Sequence, residues 1–187
     1  MRRSVSGAVL AACVVVFAME ETGLRAGVDV LPGQTGNEPH NAVVNPRNPA
    51  QVAVMQGCTV TISNNYGLTF PIVRNTTISP CNGDPSMAFD SQGRLFVTHL
   101  SRQPELTVFA GQIADTTTAG TQTYTPIVIS VADGNSDDKQ WIVADANPSS
   151  PYVDNLYLVW TQLSSPSRVM FSRSTNQGAS WSAPQVV

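Results

Sequence analysis

Three aspartates stand where strand-like runs begin or end: Asp84, Asp138 and Asp145. A carboxylate in such a place can line a central pocket, bind calcium, or accept backbone N–H bonds at a turn. The turn is the commoner use. His40 and His99 each stand alone, without the spacing of metal ligands, and read as ordinary polar residues. No metal and no cofactor is expected. Chemistry therefore depends on which elements bring these carboxylates together.

Those elements repeat. Glu38 to Asn45 leads through Pro46-Arg47-Asn48-Pro49 into Gln51-Val52-Ala53-Val54-Met55. Asp84 to Asp90 leads through Ser91-Gln92-Gly93 into Arg94-Leu95-Phe96-Val97-Thr98. Lys139 to Asp145 leads through Asn147-Pro148 and Pro151 into Asn155-Leu156-Tyr157-Leu158-Val159-Trp160. Each unit is an apolar strand ending in Asn or Asp, a Pro/Gly turn, and a second apolar strand. The anchors Asn45, Asp90 and Asp145 recur at roughly the 40–50-residue period of propeller blades. Trp141 alternates with Val143 and reads as core between units.

Two octets add a turn signature. Ser174-Thr175-Asn176-Gln177-Gly178-Ala179-Ser180-Trp181 carries Ser174, Asn176, Gly178, Ser180 and Trp181 in the order S-x-D-x-G-x-T-W. A weaker copy places Ser63, Asn65, Gly67, Thr69 and Phe70 at the same offsets. An Asx side chain can accept N–H groups a few residues on and so lock a hairpin turn. The glycine supplies a positive φ, and the aromatic fills apolar space. Ala114 to Thr123 is polar, rich in Thr, and has no such octet. It reads as an extended or degenerate outer hairpin.

These octets closely match the Asp-box, with Asn65 and Asn176 in the Asp place. With the stretches Asn37–Pro46, Gly83–Asp90 and Asp138–Asp145, the chain resembles secreted bacterial sialidase-like proteins with BNR/Asp-box repeats from about residue 37 onward. The resemblance implies an all-β, sialidase-like β-propeller, here about three four-stranded antiparallel blades at about 37–80, 81–132 and 136–187. It implies an exo-α-sialidase class of activity. Such enzymes use a Tyr nucleophile assisted by a Glu, an Asp acid/base, and three Arg that grip the sugar carboxylate. The family's R-I-P motif for the first of those Arg is absent. Neither Arg25 nor Arg47 has its context. No catalytic residue carries over, and a propeller hosts many functions.

Composition fits an exported β protein. Charged residues are only 12%, and Gly and Pro, 13 each, are scattered as turn punctuation. A formal charge of −3 offers no basic patch for nucleic acid. Arg2 and Arg3 precede the apolar run Ala8 to Met19. That run is too short for a stable membrane span, and 1–19 reads as a secretory signal peptide, with 20–36 as an extension. A rival lipobox, Leu10-Ala11-Ala12-Cys13, would lipidate Cys13. The strongest part of the run follows that cysteine, which favours the signal peptide. Either leader places the chain outside the cytoplasm: secreted, periplasmic or at the cell surface. Cys58 and Cys81, which flank the first box, are then expected to bridge on neighbouring strands of one blade rather than remain free thiols.

Length limits function. A closed propeller needs at least about four blades, and the sialidase-like ones resembled here have six. The expectation is a piece of a longer reading frame; the alternative is association with a second copy to close the ring. Two functions stand side by side. One is an exo-acting, sialidase-type glycoside hydrolase that is inactive as this piece. The other is a non-catalytic propeller binding glycans or proteins at the cell surface.

Overall fold

The computed structural model describes residues 40–102, 105–130 and 133–187. The leader at 1–19, its Cys13, and the extension at 20–36 lie outside the described residues.

Strands follow the β-branched runs. The first sheet is an antiparallel meander of β1 (His40–Val44), β2 (Val52–Gln56), β3 (Thr59–Ser63) and β4 (Ile72–Thr76). The second is β5 (Ser86–Phe89), β6 (Leu95–Arg102), β7 (Leu106–Ile113) and β9 (Ile127–Val128). The third is β10 (Asp137–Ala144), β11 (Leu156–Gln162), β12 (Arg168–Ser174) and β13 (Gln185–Val186). The described residues are all-β, in three sheets, with no helix among them and hence none long and apolar enough to cross a membrane.

One strand departs from the expected hairpin. After β7 the chain crosses to the first sheet, where β8 (Gly120–Tyr124) pairs parallel to β4, from Ile72↔Gly120 to Thr76↔Tyr124. Only then does β9 return to β7. The second sheet thus lends its outer segment to the first. Arg74 explains why the segment stays there. It is buried on β4 and donates to the carbonyls of Asp115, Thr118 and Gly120 at 2.8, 2.8 and 3.0 Å. Asp115 supplies the counter-charge at 3.4 Å. Nothing in the spacing of 114–123 announces this clasp, because its acceptors are backbone carbonyls.

Two apolar layers hold the sheets together. Ala53, Met55, Val60, Ile62 and Ile72 of the first sheet meet Met87, Phe89, Leu95 and Val97 of the second. Phe96, Leu100, Val108 and Ala110 on the second sheet's other face meet Ile142, Leu156, Leu158 and Trp160 of the third. Alternation along each strand forces this two-sided use of β6: odd-numbered Leu95 and Val97 point one way, even-numbered Phe96 the other.

The two junctions are built alike. Each anchor N–H closes its turn on the residue that opens the second strand: Asn45 on Gln51, Asp90 on Arg94, Asp145 on Asn155, at 3.0, 3.1 and 2.9 Å. Counting back from these anchors makes Asn41, Ser86 and Trp141 equivalent. Met87 N–H donates to Asn41 Oδ1 at 2.8 Å, and Ile142 N–H to Ser86 Oγ at 3.2 Å. The same small polar residue thus receives the next sheet's innermost strand at both junctions. Loop latches repeat too. Asn45 Nδ2 donates to Gly93 O at 3.4 Å. One unit on, Ser91 N–H and Arg94 Nη2 donate to Asp154 at 3.0 Å each.

The disulfide Cys58–Cys81 forms, with a Cα separation of 6.1 Å. Its placement corrects the expectation of neighbouring strands in one sheet. Cys58 lies in the β2–β3 turn, whereas Cys81 bridges Ser101 of β6. The bond therefore staples the first sheet to the second. Trp141 is also corrected. It is 54% exposed and Val143 50%, while Ile142 between them is buried. The alternation is real but its phase is opposite, and Trp160 takes the core position instead.

Candidate functional site

The residues of the two octets build two matching turns. Ser63 Oγ donates to Asn65 Oδ1 at 2.8 Å and accepts Gly67 N–H at 2.9 Å. Asn65 Oδ1 also takes Thr69 N–H at 3.0 Å, and its Nδ2 donates to Thr69 Oγ1 at 2.9 Å. In the second box Ser174, Asn176, Gly178 and Ser180 make the same four bonds at 2.9, 2.9, 2.9 and 2.8 Å. Tyr66 and Gln177 take φ of 60° and 61°, followed by Gly67 and Gly178 at 81° and 79°. A Cβ on Gly178 would stand 3.5 Å from Leu156 and 3.8 Å from Phe96. The second turn thus seats on the sheet before it. Phe70 and Trp181, the aromatics of the two boxes, are both half-buried, and Trp181 packs on the core between the second and third sheets. These residues shape the sheets and carry no reactive group.

The aspartates separate. Asp145 lies at the far end of β10, where Oδ1 accepts Asn147 N–H at 3.2 Å and Oδ2 accepts Ser150 Oγ–H at 2.5 Å. It is a turn residue. Asp84 and Asp138 instead both contact Lys139, at the other end of the innermost strands. Asp84 and Lys139 each stand six residues before their anchors, so they are equivalent. Both are left-handed, at φ 47° and 52°, a conformation residues with a Cβ adopt rarely. A register shift between Asp138 and Trp141 in the β10–β11 pairing accommodates Lys139. Asp84 Oδ2 and Lys139 Nζ then pair across the junction at 2.9 Å. Asp138 Oδ1 accepts Lys139 N–H at 2.9 Å. The buried Gln140 amide donates to the Asp84 carbonyl.

A cleft of about 110 Å³ opens between Asp84, Pro85, Lys139, Gln140 and Trp141. A shallower apolar groove of about 390 Å³ runs on from it past Met87, Phe89, Val43 and Val143. The cleft offers the Asp84 carboxylate and the Lys139 ammonium beside the Trp141 indole. That set can hold hydroxyl-rich ligands by hydrogen bonds and stacking. Among the described residues no group of three His, Cys, Asp or Glu side chains could hold a metal ion. Lys139 and Gln140 escaped sequence reasoning. Their signal was the offset from the anchor, legible only once Asp84 and Lys139 are seen as one repeated position.

His99 and Asp137 are buried titratable groups that lie away from the cleft. His99 is fully buried, stacked on Phe109 with ring centroids 5.8 Å apart. Its Nε2 is 3.3 Å from Thr76 Oγ1. Burial lowers it to about 4, against the carbonyl of Leu100, which favours the charged ring. Asp137 is buried at the junction of the second and third sheets. Burial raises it to about 6; Asp133 and Glu105 push the same way, and Ser130 and Trp160 oppose. The chain matches no protein-family model and no curated protein sequence.

Proposed function

We propose that this chain is an exported, sialidase-like Asp-box β-propeller segment that recognises glycans at the mouth of its innermost strands and cleaves none by itself. The repetition carries the reading: two boxes with the same four bonds, and two sheet junctions with the same strand and loop contacts. One operation applied repeatedly to a four-stranded meander is how a propeller grows. The inter-sheet disulfide fits an extracellular or periplasmic address.

The chemistry favours binding over hydrolysis. Glycosidic cleavage needs two groups flanking one sugar. Asp84 is tied to Lys139, Asp138 holds its neighbour's N–H, and Asp145 is in a turn at the far end. The mouth position instead carries opposite charges in the second and third units, Asp84 and Lys139, a pair that selects polar ligands by orientation.

Purified chain on a glycan array, followed by calorimetry on the best hit, tests this. Binding should weaken at least about tenfold in Asp84→Asn and in Lys139→Met, the loss of one charge-assisted hydrogen bond. A fluorogenic sialoside should release no aglycone above background. Turnover that Asp84→Ala abolishes would overturn the reading, as would binding indifferent to both substitutions.

A further inference from the structure

The crossover of β8 leaves a cleft of about 250 Å³ between the first and second sheets, lined by Gln112 and Ile113 of β7 and by Gln122, Thr123 and Tyr124 of β8. Both walls are strand edges. Gly120 N–H donates to Pro71 O and Thr77 N–H to Tyr124 O, at 2.8 and 2.9 Å, so Gly120 and Tyr124 turn their ladder groups toward β4. Successive residues of a paired strand alternate, and Thr121 and Thr123 therefore turn theirs outward. On β7, Val108 N–H donates to Ser130 Oγ at 3.0 Å, and its carbonyl accepts Ile129 N–H at 2.8 Å. Val108 thus faces the outer side, and by the same alternation so do Ala110 and Gln112. The pairing with β9 stops at Ala110, where the chain ahead of β9 is Pro126, which has no N–H. Gln112 has no strand on its outer side.

We propose that this cleft takes an extended peptide segment of a partner protein, added as a strand between β7 and β8. The outer strands of the other two sheets show what a guarded edge looks like. β9 and β13 are two residues long, and Pro126 and Pro184 directly precede them. Short length and proline keep an edge from pairing. β8 is five residues long, holds neither charge nor proline, and is exposed from Gly120 to Thr123. Bare backbone donors and acceptors at strand spacing are matched in register by another backbone. β7 closes the far side of the cleft, so an entering strand cannot bring a sheet behind it, which favours a free segment over a second folded copy. The side chains set the segment's character. Ile113 and Tyr124 are buried and apolar, Gln112, Gln122 and Thr123 are uncharged, and Asp115 is already held by Arg74. The fitting segment is uncharged and alternates apolar with small polar residues. The inference does not depend on the glycan reading.

Fluorescence anisotropy of the full chain with the probe fluorescein-Gly-Thr-Val-Thr-Val-Thr-Gly-amide tests it. Binding should appear below about 1 mM. The same peptide N-methylated at both valines loses its donors to one wall and should bind at least about tenfold more weakly, the effect of one lost backbone hydrogen bond. Thr123→Pro removes an outward N–H and leaves the bonds to β4 in place, so it should weaken binding as much. Thr123→Val keeps that N–H and should bind like wild type. Far-UV circular dichroism with urea midpoints verifies folding, and the methylated peptide tests the proposal on the unaltered chain. No binding below that limit, equal binding of the methylated peptide, a folded Thr123→Pro chain that binds like wild type, or loss of binding in Thr123→Val would overturn the proposal. So would wild-type self-association that the peptide displaces, because the cleft would then belong to a second copy.

Discussion

Asn65 and Asn176 occupy the place that the repeat writes as Asp, and their amides show what the exchange does. The oxygen accepts from a Ser hydroxyl and a backbone N–H, while the nitrogen donates to Thr69 or Ser180. An Asp would keep both acceptor bonds and take the Ser180 hydroxyl as a third. Asn176→Asp should therefore leave the urea midpoint within about 0.5 kcal/mol of wild type, whereas Asn176→Ala, which strands two donors, should cost roughly 1–2 kcal/mol. Equal midpoints for Ala and wild type would show that the side-chain bonds do not hold the turn. At this scale the sequence was legible. Spacing alone located both octets, because their bonds are local and fixed by residue type. His99 was not legible. It shares with Val97 the face of β6 that meets the first sheet, and because both faces of that strand are buried, only the neighbouring sheet decides that a polar ring lies in the core.

Elements are where legibility fell off. Strand pairs within a meander follow from alternation, but β8 does not, since a parallel partner 48 residues away (Ile72 to Gly120) leaves no local mark. Arg74 supplies the reason it docks. Arg74→Met should destabilise the chain by roughly 3–5 kcal/mol, because it leaves an acidic partner and several carbonyls without their donor. Limited proteolysis should then cut within 114–124 well before global unfolding; protection equal to wild type would mean that strand pairing alone holds the segment. The two sheet junctions carry opposed titrations. His99 is lowered, so its contribution is present above pH 6.5 and is lost as pH falls through about 4. Asp137 is raised, so its contribution is present below its ordinary 3.8 and is lost as pH rises through about 6. Between those limits the slopes oppose. Asp137→Asn should make urea stability fall more steeply from pH 6.5 to 4, and His99→Gln should make it rise over the same interval. Parallel pH profiles for both variants and wild type would remove these two groups from the account.

At the scale of the molecule, the staggered latches say more than any one sheet. Asn45 reaches Gly93, and Arg94 reaches Asp154, so each loop fixes the angle at which its successor is laid down. The three aspartates could not be sorted from sequence because turn and mouth use the same residue type. The anchors sort them: Asp145 is an anchor, Asp84 stands six residues before one, and Asp138 stands seven before. What the mouth recognises depends on side chains brought together from different sheets, which is why glycan binding is tested with Asp84 and Lys139 together.

The crossover of β8 has a consequence for the order in which the protein can be made. A chain emerging from its N-terminal end presents β1 to β4 long before residue 120 exists. Until β8 arrives, β4 has a bare edge, and Arg74 lacks the carbonyls of Asp115, Thr118 and Gly120. The first sheet is therefore completed only after most of the second has been synthesised. Exposed strand edges invite pairing with other chains, so the interval between residues 76 and 124 is the stretch of synthesis or export in which a holding chaperone has most to protect. Once Cys81 reaches Cys58, the start of the second sheet is tethered beside the first while β8 is still to come, so the bare β4 edge waits on a chain already held in place.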